Sequence, residues 1–156
     1  MAEADHMRRA IALSQEMMRS GRGGPFGAVI VKDNKIVAEG FNQVTSTNDP
    51  TAHAEIVAVR LACAAQGTFD LTGCEIYTSC EPCPMCLSAI YWARLGRIYY
   101  ANDRHDAAKI GFRDDFLYHE IAIPLDQRAI PIQRLLQAEG WAAFEEWDRK
   151  TDKVSY

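Results

Sequence analysis

The sequence predicts an α/β domain with a mixed sheet, and two observations support this. Residues 26–31 and 35–40 are apolar runs separated by a short polar turn, a pattern typical of an antiparallel hairpin. A strand at 74–79, a helix that is entered at Pro82 and Pro84 and runs to about Arg94, and a strand at 97–101 have the spacing of a parallel βαβ unit. A length of 156 residues suits one domain with one core.

Two more helices are predicted from the periodicity of apolar residues. Residues 5–19 form an amphipathic pattern that ends at Gly21. Residues 54–65 form the second helix, which ends at Gly67. The polar residues 42–50 predict a loop that leads into this second helix.

The last third of the chain carries weaker patterns. Residues 103–118 are polar and aromatic, and they predict an ordered loop with a short helix. Residues 130–132 predict a weak fifth strand. Residues 133–150 have apolar positions at helical spacing, but Gly140 interrupts them, so two helical pieces are expected.

Composition narrows the classes of function. Apolar residues make up 48% of the chain and charged residues 24%, as in ordinary soluble globular proteins. No apolar run approaches 18 residues, and no signal-peptide pattern opens the chain, so a cytoplasmic protein is expected. The net charge of −4 weakens any case for binding nucleic acid through its phosphates.

Two short motifs carry the chemistry. Residues 50–55 read PTAHAE, and about 30 residues later positions 80–86 read CEPCPMC. His53, Cys83 and Cys86 offer one imidazole and two thiolates, which suit Zn²⁺. Three protein ligands leave the fourth tetrahedral position for water, as a catalytic zinc site requires. Glu55 is a poorer zinc ligand than a thiolate, but it can take a proton from that water and return it.

Local structure should bring these groups together. His53 and Glu55 would diverge inside a regular helix, so His53 is expected at the first turn of its helix. Cys83 and Cys86 should share a face of the next helix, whose N-terminus stabilises thiolates.

Cys80 raises two alternatives for the cysteine motif. Together with Cys83 and Cys86 it begins an iron–sulfur pattern, but the fourth cysteine expected near position 90 is replaced by Ile90 and Tyr91. Cys80 is therefore interpreted as a strand-end residue beside the metal and not as a ligand.

The order H-x-E and then P-C-x-x-C is the known signature of zinc nucleobase deaminases. The chain resembles the cytidine-deaminase superfamily and, within it, is most similar to small bacterial guanine deaminases. The resemblance covers essentially the whole chain. It rests on GGPFGA, NDPTAHAE, YTSCEPCPMC, AIYWAR and GF, at residues 23–28, 48–55, 77–86, 89–94 and 111–112. The Tyr-Trp-Ala-Arg run, the Gly-Phe-x-Asp-Asp segment and the terminal Tyr156 are its more specific parts.

The resemblance implies a fold and a reaction. The fold is a three-layer α/β/α arrangement around a mixed sheet of about five strands, with one zinc ion per subunit. The reaction is hydrolysis of guanine to xanthine and ammonia, with Glu55 moving the protons and Asp114 accepting hydrogen bonds from the base. Asp115 is the alternative acceptor. The residues implied or expected to contact the substrate are Phe26, Asn42, Ala54, Trp92, Phe112 and Tyr156.

The resemblance also implies a homodimer. A segment of about 134–156 would be exchanged between subunits, and Tyr156 would close the partner's site over the base. A disordered tail, or one that folds back on its own subunit, is the alternative.

Other functions remain open to test. A tRNA adenosine deaminase shares the catalytic motifs, but residues 137–156 hold five acidic and three basic residues, which disfavours a polyanionic substrate. Cytosine or a triazine amine is another candidate substrate. A non-catalytic zinc module is disfavoured because Glu55 is present and the three-ligand site is open.

Overall fold

The computed structural model describes residues 2–156, which form two compact units divided after Tyr118. The elements, in chain order, are α1 (Ala2–Arg19), β1 (Gly27–Lys32), β2 (Lys35–Phe41), α2 (Val44–Thr47), α3 (Ala54–Gln66), β3 (Cys74–Cys80), α4 (Pro84–Trp92), β4 (Arg97–Asn102), α5 (Arg104–Lys109), α6 (Asp114–Ala122), a 3-10 turn (Leu125–Gln127) and α7 (Gln137–Arg149). None of the helices described within this range is long and apolar enough to cross a membrane.

The first unit is built on a four-stranded sheet in the order β2-β1-β3-β4. β1 pairs antiparallel with both β2 and β3, whereas β3 and β4 are parallel, so the predicted hairpin and βαβ unit are both confirmed. Asp33 and Asn34 both have positive φ, as the tight turns of hairpins require.

Helices cover both faces of this sheet. Side chains alternate along β1, so Ala28 and Ile30 pack beneath α3 while Val29 and Val31 pack beneath α1. The resulting α/β/α layering confirms the predicted fold class.

Two glycines allow the helices to lie close to the strands. A Cβ at Gly27 would overlap the carbonyl oxygen of Ala10 in α1, and a Cβ at Gly40 would overlap the carbonyl oxygen of Ala54 in α3. At Gly27 it is therefore α1 that approaches the strand closely. The contact at Gly40 holds the first turn of α3 directly against β2.

The polar segment after β4 is more helical than predicted. It forms α5 and the start of α6 in place of a loop with one short helix. Asp103 explains why α5 forms, because its carboxylate accepts hydrogen bonds from the backbone amides of His105 and Asp106. In return, the Asp106 carboxylate accepts a hydrogen bond from the Asp103 amide, which completes a capping box.

Two predictions for the second unit, residues 119–156, were wrong in detail. The weak strand expected at 130–132 does not form among the described residues. Pro131 has no backbone N–H with which to donate a hydrogen bond to a neighbouring strand. The break expected at Gly140 is absent as well, since α7 runs through it and the Gly140 amide donates to the Leu136 carbonyl at 2.9 Å. A glycine costs a helix only about 1 kcal/mol, which the rest of the helix can outweigh.

Candidate active site

Two helix N-termini meet beside the end of β3 and bring the metal-binding side chains together. His53 is the N-cap residue of α3 and Cys83 is the N-cap residue of α4, both with extended backbone. Cys86 lies in the first turn of α4. The Nδ1 atom of His53 is 3.6 Å from Cys83 Sγ and 3.5 Å from Cys86 Sγ.

These distances fit one tetrahedral zinc ion. Zinc bonds of about 2.3 Å to sulfur and about 2.0 Å to nitrogen place neighbouring ligand atoms about 3.5 Å apart. His53, Cys83 and Cys86 are also the group of candidate ligands that the described residues bring together, with all ligand atoms within 4.8 Å of one another. The donor set predicted from the sequence is therefore assembled in a form that zinc can occupy.

Cys80 stands apart from this group, as predicted. It ends β3, it is buried, and its sulfur lies 3.8 Å from the carbonyl oxygen of Asp103. Position 90 is occupied by Ile90, which is buried in the core, so the iron–sulfur pattern has no fourth ligand there.

The thiols of Cys83 and Cys86 differ in pKa. The hydrogen bond from Cys86, and then that from His53, lower the pKa of Cys83 to about 4. The same hydrogen bond and burial raise the pKa of Cys86. The pKa of His53 is raised, chiefly by its contact with Cys83. A dication at this point would ionise both thiols outright, which completes the fit of the donors to zinc.

Glu55 lies next to the metal ligands without belonging to them. It is the second residue of α3 and is only 6% exposed. One carboxylate oxygen is 3.5 Å from Cys86 Sγ, and the other is 3.2 Å from the hydroxyl of Thr78 on β3. Burial is the main cause that raises the pKa of Glu55, so this carboxyl group is suited to holding a proton and passing it on.

A cavity of about 250 Å³ opens over these groups. His53, Glu55 and Cys83 contribute to its lining, and Phe26 and Phe112 form an aromatic wall of the cavity. The two phenyl rings meet edge to face with centroids 4.7 Å apart. The cavity is thus suited to a small flat ring.

Two polar side chains, those of Asn42 and Asp114, also line the cavity. Asn42 is 8% exposed, and its carbonyl oxygen accepts a hydrogen bond from the Val44 amide at 3.3 Å. Asp114 opens α6, and burial is the main cause that raises its pKa. The neighbouring Asp115 instead pairs with Arg113 at 3.3 Å and is absent from the lining, which favours Asp114 as the acceptor.

Three predicted substrate contacts do not line this cavity. Ala54 is fully buried at the start of α3, directly before Glu55. Trp92 is the last residue of α4 and is 67% exposed. Tyr156 belongs to the second unit. The roles of these three residues stay predictions.

Several residues that line the cavity or contact its groups have no functional signal in the sequence. Val44 and Thr45 lie on α2, within a segment interpreted as a plain loop. The sequence places Thr78 in a strand and indicates no role for it, although alternation along β3 puts it on the same face as Ile76, towards α3. Glu81 belongs to the cysteine motif, but the sequence alone indicates no role for it.

Comparison with known proteins defines the class. Residues 2–102 match the profile of the cytidine and deoxycytidylate deaminase zinc-binding region. The chain belongs to this family of zinc-dependent deaminases, and the predictions of the family, of an enzyme and of zinc as its cofactor are confirmed.

The relatives are more specific than the family. A guanine deaminase of Bacillus subtilis is 51% identical over 150 residues, covering 96% of each chain. A solved structure of guanine deaminase from Bacillus subtilis superposes with a TM-score of 0.95, at 50% identity and 98% coverage of both chains. A tRNA-specific adenosine deaminase of Agrobacterium fabrum is 40% identical over 100 residues, covering 64% of this chain and 66% of its own.

Proposed function

We propose that the chain deaminates guanine hydrolytically, converting guanine and water to xanthine and ammonia. The observation that carries this proposal is the similarity to a guanine deaminase over nearly the whole chain, since the metal and proton-transfer motifs alone are shared with deaminases of other bases. The carboxylate of Asp114 in the cavity supports the same substrate, because the N1–H and the amino group of guanine are both donors.

The residues of the cavity divide the work. His53, Cys83 and Cys86 would hold the zinc ion, which would supply the Lewis acidity that lowers the pKa of a water molecule. Glu55 accepts one proton from the attacking water and gives it to a ring nitrogen as the oxygen bonds to C2 of guanine. Glu55 then takes the remaining proton of that oxygen and gives it to the amino group, which leaves as ammonia when the C2–N bond breaks and the C2 oxygen becomes a carbonyl. Phe26 and Phe112 hold the faces and edges of the base, while Asn42 and Asp114 orient its polar rim.

The direct test is to measure ammonia release from guanine, adenine, cytosine and a tRNA anticodon stem-loop in parallel. Guanine should be turned over with the highest kcat/KM. A preference for the stem-loop would instead assign the chain to tRNA editing, and a preference for cytosine would assign it to pyrimidine deamination. A zinc-loaded protein inactive on every one of these would refute the proposal.

Asp114→Asn should reduce kcat/KM for guanine by about 10- to 100-fold, the usual effect of losing a hydrogen bond to a charged acceptor. Stability should change little, because the side chain sits at the first residue of a helix and outside the apolar core. Asp115→Asn is the matched control and should retain near wild-type kinetics. The reverse pattern would assign base recognition to Asp115.

We also propose that the protein forms a homodimer whose subunits exchange about residues 134–156. α7 supports this, because Trp141, Phe144 and Trp147 are 52%, 66% and 44% exposed in the single chain. Large exposed apolar patches are typical of protein–protein interaction sites. In the proposed dimer, Tyr156 lies over the zinc site of the other subunit and excludes water from it.

Deleting residues 154–156 should lower kcat/KM for guanine at least about tenfold while the protein stays folded and dimeric. A sharper test mixes an excess of Glu55→Gln chains, which keep the tail, with tail-deleted chains, which keep Glu55. If tails cross between subunits, each hybrid regains one working site. No recovery after verified subunit exchange would mean that the tail acts within its own subunit or has no role.

A cytoplasmic location is proposed as well. All five cysteines are free thiols, including the buried Cys74, which is typical of a reducing compartment.

A further inference from the structure

Three side chains outside the metal and proton-transfer groups connect the cysteine motif to α5 and α6. Glu81 lies two residues before Cys83 and is held by Arg104, the first residue of α5. The Arg104 guanidinium donates to the two carboxylate oxygens at 2.6 and 3.1 Å, and the Arg104 amide donates at 2.9 Å. Both carboxylate oxygens of Glu81 thus bind Arg104, although Glu81 also contributes to the cavity lining.

Tyr118 extends this connection to α6. Its hydroxyl donates to the Pro82 carbonyl at 2.8 Å, directly before Cys83. Its ring lies under the Arg104 guanidinium, whose central carbon is 3.5 Å from the ring centroid. One contact of Tyr118 therefore ends directly on the segment that carries the metal ligand Cys83, and the other reaches this segment through Arg104 and Glu81.

Asp114 stands four residues before Tyr118 in the same helix. Side chains four residues apart share a helix face, so Tyr118 anchors the turn that presents the Asp114 carboxylate. The other end of the connection is equally fixed, because the Glu81 amide donates to the Asn102 carbonyl at 2.7 Å. The Asp114 carboxylate and the segment that carries Cys83 are therefore connected by hydrogen bonds and a stacked ring.

We propose that Glu81, Arg104 and Tyr118 form a clamp that sets the position of Asp114 relative to Cys83. The three are positioning residues, and their role rests on the proposed function of Asp114 in binding the base. The clamp does not position His53 or Glu55, because α3 holds both of these residues. Small displacements at such a site can cost up to about 10²-fold in rate, so a clamp of this kind has a measurable effect.

The test is a double-mutant cycle between Tyr118→Phe and Asp114→Asn. Tyr118→Phe keeps the ring under Arg104 and removes only the hydroxyl, and it should lower kcat/KM about tenfold with one zinc ion retained per chain. In the Asp114→Asn background the same change should cost less than about twofold, because the positioned group is already lost. Tyr99→Phe is the matched control, since its hydroxyl also donates one hydrogen bond, at 2.9 Å to Glu3. It should leave kcat/KM unchanged.

Arg104→Lys gives a second measurement. It keeps the positive charge but loses the forked donor set and the flat stacking surface, so it should resemble Tyr118→Phe in kinetics and in its coupling to Asp114. An equal loss with and without the Asp114 carboxylate, a loss of zinc, or unchanged kinetics in both variants would overturn the clamp. The cycle is run with whichever base of the substrate panel the wild type turns over fastest. Failure on guanine therefore refutes the proposed substrate, and absence of coupling refutes the clamp.

Discussion

Glu55→Gln is expected to lose turnover by a factor of at least about 10² to 10⁴ while it keeps its zinc and its fold. The carboxylate is buried beside Cys86 and Thr78, where an amide of the same shape fits but cannot carry a proton between water and base. Zinc should stay bound because Glu55 lies outside the group of candidate ligands. The measurements are metal stoichiometry, thermal unfolding and ammonia release.

Glu75→Gln provides the matched control for this change. Glu75 lies at the opposite end of β3 from Cys80 and does not line the cavity. It should retain near wild-type activity. A Glu55→Gln protein that holds zinc and turns over near the wild-type rate would remove Glu55 from the mechanism.

Cys86→Ala is expected to lose both zinc and activity. The sulfur is fully buried in the first turn of α4 and is within 3.5 Å of His53, so no solvent-exposed group can replace it. Because the metal would join the N-termini of α3 and α4, the melting temperature should fall too. Cys83→Ala should behave in the same way, and a strong chelator should reproduce the loss of activity in the wild type.

Cys74→Ala separates loss of the metal from loss of a buried thiol. Cys74 is 1% exposed and lies in the core beneath α3, away from the ligands. This variant should be somewhat less stable but fully active with its zinc. Full activity in a Cys86→Ala protein shown to be metal-free would refute the zinc mechanism.

The metal centre could be predicted from the sequence because its determinants are local. His53 and Glu55 are two residues apart, and Cys83 and Cys86 are three apart, so the first turn of a helix suffices to aim each pair. The hairpin and the βαβ unit were predictable for the same reason, since the alternation of apolar residues and the turn residues lie within short segments.

Only the tertiary structure decided which distant side chains share the cavity. Phe26 and Phe112 are separated by most of the first unit, yet their rings touch, and Thr78 reaches Glu55 from a different element. Patterns along the chain do not predict such contacts, because the contacts depend on how the sheet and its two helical layers pack. The misjudged segments have the same origin. The strand expected at 130–132 had no neighbouring strand to pair with among the described residues, and the helix through Gly140 keeps its hydrogen bonds despite an unfavourable residue.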